Sequence, residues 1–352
     1  MPGIRKNTMG MFDCLKGMII LEVIMIHSFT EVWGINNSSW YPLIWRLIYA
    51  SSGVAMGTLF IISGYGFRPI KSKKALKAQL LLLLKPYFTV FALCIICRIP
   101  LNFFLGQPIF SGALARVAGC LLGKMGGGEY LGIQVESIFV FWYFLALLFG
   151  WLLLTLIFRI TEKDVYRGIL VAFFVVLGYC MRLFLPDLPY CIVPTFLAMG
   201  FMYTGYLLKK KGWLFSKISP WLFAVLAIYA AFVLKAGNVN LSTGDMKLGL
   251  IDYMGTVCAG YVILRIYLWI FRPGWKIYTP FMFFGRNSYL IISIHAFEHL
   301  VFQWRSWDLL RTDSLLTTAF LFFVVRVLLI LLIYFAVKQF QNFQKMWKRR
   351  KG

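Results

Sequence analysis

Three histidines are the residues of this chain best suited to move a proton. The 352-residue sequence contains His27, His295 and His299 as its only histidines, and all three lie in long apolar segments. An ionisable side chain in the middle of a membrane helix costs about 2.5–3.5 kcal/mol, so a histidine kept there is expected to have a function. Imidazole exchanges protons near neutral pH. The histidines therefore predict acid–base chemistry or substrate binding inside an apolar layer.

Lys16 and His27 are predicted to lie on one face of the first apolar helix. At about 100° per residue their directions differ by about 20°, and they are about 16 Å apart along the axis. A cation near one membrane surface and an imidazole beyond mid-membrane would suit a ligand with an anionic head and a reactive far end. Glu31, one turn further on, could orient the imidazole. The alternative is a histidine that only bonds a neighbouring helix, and Glu22 is assigned no role.

A second cluster follows a helix-start signal late in the chain. Gly285, Asn287 and Ser288 precede an apolar run in which His295 and His299 are one turn apart on the same face. The pattern H-x-x-E-H also occurs in zinc proteases, but no further carboxylate is placed to complete a site, so we expect no bound metal. We expect His295 to handle protons or bind substrate, with plain packing between helices as the alternative.

A basic rim is predicted between the second and third apolar runs. Ser63 and Gly64 allow close backbone approach or a helix break. Arg68, Lys77 and Lys85 follow, with three further lysines among them. Such a rim could hold the phosphates of a nucleotide-like donor. Contact with lipid headgroups and tight helix packing are the alternatives.

The composition excludes a soluble protein. The chain is 61% hydrophobic and 14% charged, with a mean hydropathy of +0.77, whereas soluble domains have roughly 25% charged residues. The formal charge of +23 does not indicate nucleic-acid binding, because the basic residues form short clusters between apolar runs and no nucleic-acid-binding motif is present. The seven cysteines lie mostly in apolar runs and show no disulfide framework. The C-x-x-C pair, Cys94 and Cys97, is interpreted as buried apolar thiols rather than as a redox or metal site.

Hydropathy and charge together predict the topology. Most basic residues fall in segments that face the cytoplasm if the N-terminus is inside, which predicts a cytoplasmic location for both termini. We therefore predict an all-α, polytopic membrane domain over residues 1–352, with a basic cytoplasmic tail at 338–352 and a loop or re-entrant piece at 103–132. The ten predicted spans cover residues 17–36, 48–67, 86–105, 137–158, 168–186, 191–208, 219–235, 248–271, 281–304 and 314–337.

Several segments, taken in order, resemble the acyltransferase 3 family of membrane acyltransferases. The first helix of that family carries an arginine, ten residues and a histidine, which is similar to Lys16 and His27 here. Its second helix resembles LFIISGYGF, and its basic stretch ending in proline resembles residues 77–87. A Trp-Phe-Leu-like segment resembles residues 142–145, and a late glycine–Asn-Ser element before a histidine resembles residues 285–295.

The resemblance implies acyl transfer in a bacterial inner membrane. The acyl group, usually acetyl, would come from cytoplasmic acyl-CoA, a donor substrate rather than a bound cofactor. The acceptor would be a hydroxyl of a sugar, glycolipid or exopolysaccharide. His27 would take the catalytic role, supported by Glu31, Asn287, Ser288 and His295. Lys16 stands where the family has a donor-contacting arginine, and lysine lacks the bidentate fork of arginine.

Two other functions remain open at this stage. A transporter of an amino acid or glycan intermediate would have broken helices near Gly64 and inverted repeats, and no repeat is visible in the sequence. A lipid-binding partner of a polysaccharide synthase would tolerate substitution of both His27 and His295. Acyl transfer is the function that the resemblance favours.

Overall fold

The described residues form an almost entirely helical protein. The computed structural model describes residues 2–33, 41–104, 106, 110–185, 188–302, 304 and 310–351. Within them the chain forms twelve α-helices and two short β-hairpins, in agreement with the predicted all-α class. Parts of the predicted segments lie outside the described residues, at positions 34–36, 105, 107–109, 186, 303 and 352.

The helices follow the apolar runs, because a helix satisfies its own backbone hydrogen bonds where water is absent. Their bounds are α1 Pro2–Trp33, α2 Tyr41–Tyr65, α3 Lys73–Phe104, α4 Phe110–Leu122, α5 Trp142–Ile160, α6 Asp164–Phe184, α7 Ile192–Lys210, α8 Pro220–Ala236, α9 Leu250–Ile270, α10 Thr279–Arg286, α11 Ser288–Val301 and α12 Leu315–Lys351. The strands pair antiparallel, β1 Gly128–Tyr130 with β2 Ile133–Val135, and β3 Val239–Asn240 with β4 Asp245–Met246.

Length and composition fit a multi-pass membrane protein. A crossing takes about 20 apolar residues. Five helices in the described part of the chain are long and apolar enough, over Lys73–Phe104, Phe139–Ile160, Asp164–Phe184, Leu250–Ile270 and Leu315–Trp347. The count of ten spans, the cytoplasmic location of both termini and the single domain over the whole chain stay predictions.

Helix α3 differs from its prediction at its start. We expected the third span to begin at Pro86, but the helix begins at Lys73 and continues through Pro86 and Pro100. Each proline removes one N–H donor, and membrane helices tolerate this where neighbouring groups satisfy the freed carbonyl. Lys77 and Lys85 are therefore exposed residues of one continuous helix.

The predicted ninth span, residues 281–304, forms two helices. The predicted start signal is confirmed, since α11 begins at Ser288. At the break, the Asn287 side chain donates from Nδ2 to the Phe283 carbonyl oxygen at 2.9 Å. Its Oδ1 accepts from the Tyr334 hydroxyl of α12, also at 2.9 Å. The asparagine therefore joins the end of α10, the start of α11 and the middle of α12.

The segment 103–132 does not form a full span. Helix α4 has 13 residues and is about 20 Å long, which is too short for a hydrocarbon layer of about 30 Å. The hairpin β1–β2 follows it. This agrees with the predicted loop or re-entrant piece. At the other end of the chain, α12 continues as helix through the predicted tail as far as Lys351.

Two glycines let α1 and α10 touch backbone to backbone. A Cβ atom added at Gly17 would overlap the Phe281 carbonyl, and one added at Gly285 would overlap the Asp13 carbonyl. Small residues allow such close approach of membrane helices. Because α11 follows α10 directly, this crossing sets where the histidines of α11 lie relative to His27 on α1.

We expect Gly17→Ala to lower the free energy of unfolding by about 1–3 kcal/mol, the usual range for overpacking. The added methyl group would have to push α1 away from α10. Thermal unfolding of the purified protein in detergent would measure this as a lower Tm. Gly126→Ala is the matched control, because a Cβ there meets open space. Equal Tm values for the two variants would contradict this account of the crossing.

Candidate active site

All three histidines of the chain meet at one place. The ring centroid of His27 on α1 lies 5.4 Å from that of His295 and 5.7 Å from that of His299, both on α11. The two α11 rings are 6.5 Å apart. Helix periodicity predicted that His295 and His299 share a face, and the packing of α1 against α11 adds His27. Of the three, His27 and His295 line one cavity and can therefore act on one bound molecule.

A cavity of about 230 Å³ lies beside His27 and His295. Its wall comes from α1, α2, α5, α11, the β3–β4 hairpin and the segment before α5. A mostly apolar wall with a few convergent polar groups is typical of a small-molecule site. The polar residues in the wall are His27, Thr30, Ser52, Asn240, Ser242 and His295, and the aromatic ones are Phe139, Trp142 and Tyr143.

A buried ion pair lies directly behind His295. Arg326 on α12 donates from Nε to Glu298 Oε1 at 2.9 Å, and His295 Nδ1 lies 2.7 Å from the same oxygen. Trp304 Nε1 donates to the other carboxylate oxygen. The side chains of Arg326 and Glu298 are both 0% exposed. The carboxylate is thus surrounded by three donors, as a buried charge requires.

His299 is held on the other side of the same arginine. Arg326 Nη2 lies 2.8 Å from His299 Nδ1, and His299 Nε2 lies 3.6 Å from Glu31 Oε1. The Phe139 ring stacks on His299, with centroids 3.4 Å apart and an angle of 2° between the planes. Glu31, predicted to orient His27, thus contacts His299.

Phe139 takes an unusual backbone conformation to reach the histidines. Its φ is +50°, in the left-handed region, which costs a residue other than glycine about 1–3 kcal/mol. Ser137 supports this turn, because its Oγ accepts from the Phe139 N–H at 3.0 Å and donates to the Met125 carbonyl. The Phe139 ring also lies 4.4 Å from that of His27. Such strain is typical of residues positioned for a function.

The β3–β4 hairpin closes one side of the cavity. Asn240 Oδ1 accepts from the Ser242 N–H at 3.1 Å and from the Ser242 hydroxyl at 2.6 Å. At the base of the hairpin, the buried Asp252 accepts from the Leu248 N–H at 2.7 Å. A Cβ at Gly53 of α2 would overlap the carbonyl of the first hairpin strand. The hairpin is therefore held firmly against α2, with two polar side chains in the cavity wall.

An ion pair fastens the outer edge of the hairpin. Arg182 Nε donates to Asp245 Oδ1 at 2.7 Å, and the Thr243 hydroxyl donates to the other oxygen at 2.6 Å. Partial burial alone would raise the pKa of Asp245, but these two hydrogen bonds outweigh it and hold the pKa below its ordinary value. The loop that carries Asn240 is thereby fixed at both ends.

Lys16 does not line the cavity. Its Nζ pairs with Asp13 Oδ1 at 2.9 Å, and Asp13 Oδ2 lies 3.4 Å from Arg286 Nε at the end of α10. Lys16 is therefore part of a small charged cluster at the α1–α10 crossing. Both residues lie on α1, so the rise of the helix places Lys16 about 16 Å from His27 along its axis.

The other predicted donor-binding cations also lie away from the cavity wall. Arg68 follows the end of α2, and Lys77 and Lys85 lie in the first half of α3; all three are exposed. The Arg68 carbonyl accepts from Trp151 Nε1 at 3.2 Å, which ties the α2–α3 loop to α5. Their role in binding a donor stays a prediction.

Ser63 and Gly64 lie between these cations and the cavity along α2. Ser63 donates to the carbonyl of Leu59 at 2.9 Å, and Leu59 lines the cavity. Gly64 packs against α7, where a Cβ would overlap the Met202 carbonyl. Gly64 is therefore explained by tight helix packing, the alternative given above. Ser63 does not line the cavity itself but bonds a residue that does.

Asn287 and Ser288 lie away from the cavity. They are about two turns before His295 on α11, and neither lines the cavity. Asn287 fixes the start of the helix through Phe283 and Tyr334. Their predicted supporting role stays a prediction of positioning, not of contact with a ligand. Glu22 lies near Ser51 of α2.

The H-x-x-E-H pattern of α11 takes part in hydrogen bonds and an ion pair. Glu298 of H-x-x-E-H is bonded by Arg326, Trp304 and His295. Among the residues that the structure describes, no three His, Cys, Asp or Glu side chains converge as a metal site. All seven cysteines are free thiols; in the C-x-x-C pair, Cys94 is buried and Cys97 is half-buried.

Sequence reasoning missed most of the groups around the histidines. Arg326 carried a signal, because an arginine in an apolar run demands a partner, but its partner Glu298 was not identified. Trp304, Phe139 and Asn240 carried none, since each reaches the site through a turn or hairpin. Those contacts depend on tertiary packing.

A family model described as an acyltransferase domain matches residues 10–337, which is nearly the whole chain. The matched range includes the histidines, the ion pair and the cavity wall. Comparison with curated proteins and with solved structures returned no match.

We expect Arg326→Leu to lower the free energy of unfolding by about 3–5 kcal/mol, because it leaves Glu298 as an uncompensated buried charge. The double variant Arg326→Leu/Glu298→Leu should lose less than the single variant, since no charge is then left unpaired. Unfolding in detergent would measure all three proteins, with Lys345→Leu, an exposed cation on α12, as the control. A double variant less stable than Arg326→Leu would contradict the pairing.

Proposed function

This chain belongs to the acyltransferase 3 family, and on that premise we propose that it is a membrane O-acyltransferase of the bacterial inner membrane. It would move an acyl group, with acetyl as the expected one, from cytoplasmic acyl-CoA to a hydroxyl of a cell-surface sugar, glycolipid or exopolysaccharide. The observation that carries the proposal is the position of His27. Its ring lies in the wall of a cavity, beside a second imidazole.

The size of the cavity supports a small reacting group. Its volume of about 230 Å³ is below the roughly 300–1,000 Å³ of pockets that hold drug-sized ligands. An acyl group and one hydroxyl-bearing part of an acceptor suit this space, whereas a nucleotide does not. The nucleotide of acyl-CoA would therefore stay outside, where Arg68, Lys77 and Lys85 offer exposed cations for its phosphates.

A path for the donor follows α2. Arg68 follows the end of that helix. Leu59 in the cavity wall accepts a hydrogen bond from Ser63, which lies one turn further along α2. A thioester arm that enters here would reach the histidines while its charged head stays at the basic rim, as the spacing of Lys16 and His27 also suggests.

His27 would supply the acid–base chemistry. A neutral imidazole can take the proton of the acceptor hydroxyl or assist departure of the thiol from the acyl carrier. The hairpin residues Asn240 and Ser242 face the same cavity and offer polar groups to the acceptor. Asn240 Oδ1 already accepts two hydrogen bonds from Ser242. The amide group Nδ2 of Asn240 would therefore be the atom that donates a hydrogen bond to a ligand.

We expect His27→Ala to abolish acetyl transfer, a loss of at least about 100-fold for removal of an acid–base group. The assay uses the full-length protein in proteoliposomes with radiolabelled acetyl-CoA and a polysaccharide fraction from the host, and it follows label transfer and release of free CoA. Met25→Ala, on the same helix but outside the cavity wall, is the control.

Retained transfer by a folded His27→Ala protein would remove the proposed centre. Uptake of a solute into vesicles without acetyl-CoA, with no CoA release, would favour the transporter instead. Tolerance of substitution at both His27 and His295 would favour a structural partner of a synthase.

We expect Asn240→Asp to raise the KM for the acceptor by about 3- to 10-fold, the loss of one neutral hydrogen bond, with little change in the KM for acetyl-CoA. The aspartate keeps the oxygen that holds Ser242 and removes the amide donor. Lys247→Ala, an exposed residue of the same loop, is the control. An unchanged acceptor KM would exclude this contact.

A further inference from the structure

The proton positions on two histidines follow from one arginine. A guanidinium only donates hydrogen bonds, because it does not lose its proton in proteins. Arg326 Nη2 lies 2.8 Å from His299 Nδ1, so that nitrogen must be the acceptor and carry no proton. A neutral His299 then has its hydrogen on Nε2, the atom 3.6 Å from the Glu31 carboxylate.

Glu298 imposes the opposite arrangement on His295. An ionised carboxylate only accepts hydrogen bonds, and the charge of Arg326 at 2.9 Å and the donor Trp304 favour that form. His295 Nδ1, at 2.7 Å from Glu298 Oε1, must therefore carry the hydrogen and donate it. A neutral His295 then has an unprotonated Nε2.

That Nε2 is left for a ligand. It is buried and has no hydrogen-bond partner in the structure, and His295 itself lines the cavity. A buried polar atom without a partner costs about 1–3 kcal/mol, which packing alone gives no reason to accept. An imidazole oriented by a carboxylate, with its other nitrogen free, is the arrangement of a general base.

We propose that Arg326 and Glu298 are positioning residues that hold His295 and His299 in opposite tautomers, so that His295 Nε2 is the base for the acceptor hydroxyl. The inference rests on the acyl transfer proposed above and assigns its proton-accepting step. His27, whose ring makes no hydrogen bond to the described residues, is then left for the thioester side of the same cavity.

The step balances without any further reactant. The acceptor hydroxyl gives its proton to His295 Nε2 while its oxygen forms a bond to the acyl carbon. The C–S bond of the thioester breaks, and its electron pair stays on sulfur. The imidazolium then passes its proton to the thiolate by way of His27, whose ring centroid lies 5.4 Å from that of His295. CoA leaves as the thiol, and both histidines are again neutral.

The first test reads the tautomers directly and needs no substrate. With only three histidines in the chain, the wild-type protein labelled with ring-¹⁵N histidine should give few imidazole nitrogen signals, and His27→Gln and His299→Gln samples assign them. We expect a protonated Nδ1 and a bare Nε2 for His295, and the reverse for His299. A proton on His295 Nε2, as the other tautomer or as imidazolium, would overturn the proposal.

The second test measures turnover. Glu298→Gln should lower kcat by about 10²–10⁴-fold, the usual contribution of a positioned acid–base group, with the KM for acetyl-CoA within about twofold of wild type. Arg326→Lys, which keeps the charge, should retain more activity than Arg326→Leu. A folded Glu298→Gln protein with unchanged kcat would overturn the role of the carboxylate, as would equal activities of the two Arg326 variants.

The two proposals fail in different ways. If the wild-type protein releases no CoA, the acyl-transfer function fails while the tautomer measurement still stands or falls by itself. If the wild type transfers acetyl groups but His295 has a protonated Nε2, only the assignment of the base fails. A Glu298 variant that does not fold leaves the wild-type spectrum as the deciding result.

Discussion

The pairing of Arg326 with Glu298 is the constraint on which this site depends. Neither charge could stay in an apolar interior alone, because leaving water costs each ion several kcal/mol. Together they join α12 to α11, and their remaining hydrogen bonds go to His295, His299 and Trp304. The ion pair thus contacts both imidazoles of α11 and fixes their orientation.

The position of α1 near this ion pair depends on its close backbone contact with α10. Gly17 and Gly285 let α1 and α10 approach without side chains between them, and α11 continues from α10 after the break at Asn287. His27 is thereby placed within 6 Å of both α11 rings. The strained turn at Phe139 fills the remaining side with an aromatic ring. Rigid helices therefore position the imidazoles, while two short loops complete the cavity.

The exposed cations and the cavity offer different environments to a ligand. The exposed cations of the α2–α3 region suit an anionic group held in water, where phosphate stays solvated. The cavity near the histidines is small and mostly apolar, which suits a short acyl group and strengthens each hydrogen bond formed there. In the proposed reaction, a long flexible donor would connect these two environments.

The sequence by itself determined that the protein lies in a membrane, its helical class and most helix positions, because hydropathy is a local property of the chain. It also singled out His27 and His295 as candidates, because the cost of a buried ionisable group is local too. The sequence also indicated the family, because its motifs occur along the chain in the same order as in that family. Only the tertiary structure decided which side chains meet. The Arg326–Glu298 pair, the placement of His27 beside His295, the stacking of Phe139 and the closure by Asn240 join residues far apart in the chain. Periodicity gives the face of a helix on which a residue lies, but the neighbour that covers this face depends on how all the helices pack.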